Sequence, residues 1–150
     1  MARYNVVVTG DPVLRKISRP VKEVNDNIRK LLDNMAETMY YSKGVGLAAP
    51  QVGISKRVVV VDVGDGLYKL VNPEIIHSSG LQDGPEGCLS VPGTVGDVKR
   101  SERVTVKALN ENNEEVIIEA SGFKARAFQH EIDHLNGILF VDKANNIEVM

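Results

Sequence analysis

The stretch Gln129-His130-Glu131-Ile132-Asp133-His134-Leu135-Asn136-Gly137 decides how the rest of the chain is read. It closes a segment, Ser121 to Leu135, that the sequence predicts as a helix, with Gly137 placed to end it. On a helix, residues i and i+4 stand one turn apart on the same face. His130 and His134 so placed can converge on one metal ion. Glu131 lies about 100° around the helix, within reach of a water beside the metal rather than of the metal itself. The alternative is a helix with two ordinary surface histidines and a solvated glutamate. The apolar run through Ala125, Ala127 and Phe128 points instead to burial, and buried imidazoles need partners.

Working back from this helix, the chain reads as strands. Val116 to Ile118 and Val104 to Val106 are short β-prone runs, and Asn110 to Glu114 between them reads as a hairpin loop. Lys69 to Val71 and Ile75-Ile76 flank a break at Asn72-Pro73. Arg57 to Val63 holds four consecutive valines, Val58 to Val61. Before these, Ile28, Leu31, Leu32, Met35 and Met39 give the stripe of an amphipathic helix from Asn25 to about Tyr41. Asn25 is its expected N-cap and Gly44 its expected stop. Asp11-Pro12-Val13-Leu14-Arg15 reads as an irregular segment with a turn. Helix, strands, helix predicts an α+β fold. Its mixed or antiparallel strands would surround a central, C-terminal, metal-binding helix.

The 150 residues form one domain, 1–150, with enough apolar content for a core: 43% hydrophobic against 25% charged. That balance excludes a disordered chain or a collagen-like repeat. A net charge of −2 and only 5% aromatic residues predict no direct nucleic-acid binding without a local basic patch. No apolar run approaches the roughly 18 to 20 residues needed to cross a bilayer. The start, Met1-Ala2-Arg3-Tyr4-Asn5-Val6, lacks a signal-peptide stretch. A single cysteine, Cys88, excludes an intrachain disulfide and a four-thiolate zinc knuckle. Together these point to a reducing, cytoplasmic setting.

Two histidines do not complete a catalytic metal site, which takes three protein ligands and an open position. After His134 there is no histidine, and Glu148 is the only glutamate. The third ligand is therefore sought upstream. Cys88, in Glu86-Gly87-Cys88-Leu89-Ser90, is the best candidate by type, since a thiolate binds Fe(II) or Zn(II) strongly. Taken alone, it reads better as a small buried hydrophobe. His77 reads as an ordinary surface histidine. In Gly44-Val45-Gly46-Leu47-Ala48-Ala49-Pro50-Gln51, small residues allow another chain to approach the backbone closely. A buried Gln51 could donate its amide to an oxyanion. The bland alternative is a tight helix-to-strand connection.

The three blocks at 44–51, 86–90 and 129–137, in that order, resemble the peptide deformylase family. The resemblance extends to Gly10–Arg15 and to Glu37-Thr38-Met39, and so to almost the whole chain. It implies hydrolysis of the N-formyl group from the initiator methionine of nascent polypeptides, releasing formate. By motif position it implies Cys88, His130 and His134 as ligands of one divalent metal ion, natively Fe2+, with Zn2+, Ni2+ or Co2+ as substitutes. It implies Glu131 as general acid/base, and Gln51 with the Leu89 N–H as oxyanion hole. The Val45 and Gly46 backbone would pair with an extended substrate, as an added strand. Arg126 and Ala127, on the His130 face of the helix, would line a pocket for the methionine side chain, with the Arg126 head reaching water. The implied partners are N-formyl-Met nascent peptides and, transiently, the ribosome.

Two places depart from the family pattern. Val91 to Gly96 holds no arginine where some members carry one toward the substrate. No long helix follows Phe140-Val141-Asp142, so ribosome docking by such a helix is not expected. The competing readings are a general His-Glu-x-x-His metallopeptidase, which leaves Cys88 and Gln51 without roles, and a non-catalytic module with a structural metal.

Overall fold

All four valines at 58–61 are fully buried, because the strand they form is covered on both faces. Strand side chains alternate between faces. Val58 and Val60 pack with Ile28, Leu31, Leu32, Met35 and Met39 of one helix. Val59 and Val61 pack with Phe128, Ile132 and Leu135 of the other. The structure, a computed structural model, describes residues 3–150. Met1 and Ala2, on which part of the signal-peptide reading rests, lie outside the described residues.

In chain order the elements are α1 (Asp26–Tyr41), β1 (Gly46–Ala48), β2 (Val58–Val61), β3 (Tyr68–Ser79), β4 (Gln82–Cys88), β5 (Val91–Arg100), β6 (Arg103–Leu109), β7 (Glu115–Ser121), α2 (Gly122–Leu135) and β8 (Asn145–Val149). Short 3-10 turns cover Pro12–Arg15, Ala49–Val52 and Phe140–Asp142. The first sheet runs β1-β2-β3-β6-β7 and the second β4-β5-β8. All of these strand pairings are antiparallel. The expected α+β class holds, with the mixed-or-antiparallel alternative resolved to antiparallel. No helix among the described residues is long and apolar enough to cross a membrane.

Asn25 caps α1 as expected, its Oδ1 accepting from Ile28 N at 3.0 Å. The helix ends at Tyr41, as expected, but Lys43 rather than Gly44 makes the turn out of it. Lys43 takes the left-handed position (φ 60°), and the Gly44 N–H closes onto Met39 O. Asn72-Pro73 does not end a strand. Asn72, at φ 52°, forms a bulge inside β3, and its amide holds Val21 N and O at 2.8 and 2.7 Å. The hairpin loop at 110–114 is present, closed by Asn110 Oδ1 accepting from Asn112 N and Glu114 N.

Sequence reasoning missed β4, β5 and β8. The run Gln82-Asp83-Gly84-Pro85 begins a seven-residue strand paired antiparallel with β5, in unbroken register from Gln82 to Gly87. A third cluster, Leu14, Val91, Val98, Leu139 and Phe140, packs around this second sheet. The central helix α2 therefore has the five-stranded sheet on one side and β4–β5 on another, and the metal-ligand candidates lie where they meet.

Candidate active site

His130 and His134 come from the last turns of α2, with ring centroids 5.0 Å apart in an edge-to-face arrangement. Cys88 is the last residue of β4, just past a break in register between Gly87 and Cys88. That irregularity re-aims the strand end toward the helix, and Cys88 Sγ lies 3.3 Å from His134 Nε2. Ligand atoms of Cys88, His130 and His134 all fall within 4.8 Å of one another. Soft sulfur and two imidazole nitrogens form a donor set suited to a divalent transition metal. The His134 Nδ1 is buried with no hydrogen-bond partner among the described residues. These residues fit a metal ion.

The orientation of His130 is set by Glu86, which sequence reasoning did not assign. Glu86 Oε1 accepts from His130 Nδ1 at 2.8 Å. An ionised carboxylate can only accept, so the proton sits on Nδ1 and Nε2 is left for a metal. The same carboxylate receives Arg100 Nε and Nη2 at 2.9 and 2.8 Å and Arg126 Nη1 at 2.5 Å. Arg100 in turn reaches Asp133. Burial would raise the Glu86 pKa, but the hydrogen bonds from Arg100 and His130 hold it well below the usual carboxylate range. The sequence signal for Glu86 was its place two residues before Cys88.

Glu131 is 4% exposed, and its Oε1 finds no partner among the described residues. Burial pushes its pKa up to about 7. Burial drives His134 well below its ordinary value. Gly46 allows β1 to lie against Glu131, since a Cβ at Gly46 would overlap the Glu131 carboxylate. Gln51, 2% exposed, is held by its Oε1 accepting from Ala48 N at 3.0 Å. Its NH2 end consequently faces Ser90 Oγ at 3.2 Å and Cys88 Sγ at 3.5 Å.

A cleft of about 530 Å³ opens beside these groups. All ten residues singled out from sequence, apart from His134, line it: Val45, Gly46, Gln51, Cys88, Leu89, Arg126, Ala127, His130 and Glu131. His134 sits behind, against Cys88. The expectation for the Arg126 head is corrected. The guanidinium does not reach water; it is 5% exposed and bonds Glu86, Gln82 and the carbonyls of Gly84 and Val98. His77 is exposed on β3, as expected.

An α+β domain in which a helical His-Glu-x-x-His and a strand-end cysteine converge on a cleft defines a class, the hydrolases built around a helix-borne metal centre. The profile of the polypeptide deformylase family matches residues 3–150, and the chain belongs to that family. The peptide deformylase of Carboxydothermus hydrogenoformans is 64% identical over 147 residues, covering 98% of this chain and 97% of that one. That of Pelotomaculum thermopropionicum is 55% identical over 147 residues, covering 98% and 95%. The crystal structure of the Thermotoga maritima peptide deformylase superposes with a TM-score of 0.94 at 47% identity, covering 97% of this chain and 99% of that one. A Synechococcus elongatus peptide deformylase in complex with actinonin gives 0.92 at 44% identity, covering 95% and 79%. The protein is thus a metal-dependent hydrolase that removes the N-formyl group from nascent peptides. The metallopeptidase and structural-module readings give way to it.

Proposed function

We propose that Cys88, His130 and His134 hold one divalent ion, ferrous in the native protein, and that Glu131 moves the protons of deformylation. The carrying observation is the convergence of those three ligand atoms beside a buried glutamate with an oxygen that has no partner among the described residues. When bound, the metal acidifies water and polarises the formyl carbonyl. Glu131 takes the proton of the attacking water at Oε1 and returns it to the departing amine nitrogen. The Gln51 NH2 and the Leu89 N–H donate to the oxygen that gains charge at the formyl carbon. Gln51 is suited to this because Ala48 N already fixes which end of its amide faces the site.

The formyl-methionine enters as an added strand against Val45 and Gly46. Its unbranched side chain rests on Ala127, beside the Arg126 stem, whose head is anchored by Glu86. The setting is the cytoplasm, where transient contact with the ribosome supplies nascent chains. The test is formate release from formyl-Met-Ala-Ser by the Fe(II)-loaded protein, beside cleavage of an unformylated peptide. Formate release without internal cleavage is expected. Internal cleavage at a comparable rate would overturn the assignment.

A further inference from the structure

The floor of the cleft and its mouth differ in charge. Besides the histidine, its charged lining residues are Lys43, Glu86, Arg126 and Glu131. Glu86 and Arg126 are buried and bonded to each other, and Glu131 is buried at the floor. Lys43 is exposed and forms no ion pair among the described residues. Around it the mouth is apolar, with Val45, Phe123 and Met150 exposed along the walls. The Asp62 N–H donates to Val45 O, but the Asp62 carboxylate accepts from Tyr40 Oη and Gly64 N. Lys43 is thus the exposed cationic side chain among those lining the cleft, and its ammonium is not taken up by a carboxylate among the described residues.

Its backbone adds a second observation. Lys43 sits just past α1 at φ 60°, a position that glycine or asparagine ordinarily fills. The strain of a lysine there is tolerated where the side chain has a use.

We infer that Lys43 is a specificity-determining residue that favours an acidic side chain at the third residue of the formylated peptide. The inference rests on the strand pairing at Val45 and Gly46 proposed above. The formyl end must lie by Cys88 and Glu131, against Gly46, so the peptide runs outward past Val45. An extended chain advances about 3.3 Å per residue, which brings its third residue level with Gly44 and Lys43. A carboxylate there meets an unpaired ammonium, and an ammonium there meets a like charge.

The experiment compares C-terminally amidated formyl-Met-Ala-Glu, formyl-Met-Ala-Gln and formyl-Met-Ala-Lys on the metal-loaded enzyme at low salt. An exposed pair supports about threefold in kcat/KM per step, Glu over Gln over Lys. The effect should lie in KM, since the contact is the same in ground and transition states. It should shrink in high salt. Lys43→Asn, which suits the left-handed backbone, should level the three peptides, and Lys43→Asp should reverse their order. Equal kcat/KM for all three in the wild type, or an order unchanged in both variants, would overturn the inference while leaving the site assignment intact. Failure to release formate from any of them would instead overturn the site assignment.

Discussion

Glu131 and Glu86 are two buried carboxylates within one site, separated in role by their partners. Glu86 is saturated by Arg100, Arg126 and His130, whereas Glu131 keeps a buried oxygen with no partner among the described residues. Glu131→Gln removes the proton carrier and keeps the volume. Metal should stay bound while kcat falls by about 100-fold or more; turnover near that of the wild type in the loaded variant would remove Glu131 from the chemistry. Glu86→Gln should act elsewhere, through His130. Outer partners of ligand histidines typically contribute 10- to 100-fold in metal affinity. A competition titration with a chelator should show that loss, and unchanged affinity would mean His130 is oriented by something else. His130, Glu131 and His134 were legible from spacing alone. Glu86 was not, because a glutamate beside a glycine carries no sign that two guanidiniums and an imidazole will fold around it.

The two helices and β2 were legible because their apolar periodicity matches their burial. β4 and β5 were not, since Gly84, Pro85, Gly87, Pro92, Gly93 and Gly96 all lower strand propensity. Their pairing comes from tertiary context, and it puts Cys88 where the helix needs it. At the other end of the site, Gly137 terminates α2 at φ 74°, and a Cβ there would press on the Arg15 carbonyl oxygen. Gly137→Ala should therefore cost about 1–3 kcal/mol or more. Urea denaturation would read this as a lower midpoint. An unchanged midpoint would show that the Arg15 segment shifts freely.

Across the molecule, residues far apart in sequence close the fold around α2. Arg15 bonds Asp142 at 2.5 and 3.1 Å, joining the N-terminal turn to the segment after the metal-binding helix. The hydrogen bond from Arg15 lowers the Asp142 pKa from 3.8, against burial, which raises it. A carboxylate whose folded pKa is depressed stabilises the fold above its unfolded pKa, and loses that contribution as pH falls through the folded value. Both side chains are partly exposed, so Arg15→Met should cost only about 0.2–1 kcal/mol at pH 7. That difference should close as pH falls below about 4. A difference that does not shrink as pH falls would place the effect in packing rather than charge. Such long-range closures left no trace in local pattern. Only the resemblance to the family, carried by the order of the blocks at 44–51, 86–90 and 129–137, implied that they belong together.

The most direct measurement of the metal assignment is an anaerobic titration of metal-stripped protein with Fe(II), following formate release from formyl-Met-Ala-Ser. Activity should be absent at the start, rise linearly and saturate at one ion per chain. Cys88→Ala, left with two imidazoles, should show no such saturation. Full activity before any metal is added, or the same one-equivalent endpoint in Cys88→Ala, would contradict the Cys88–His130–His134 centre.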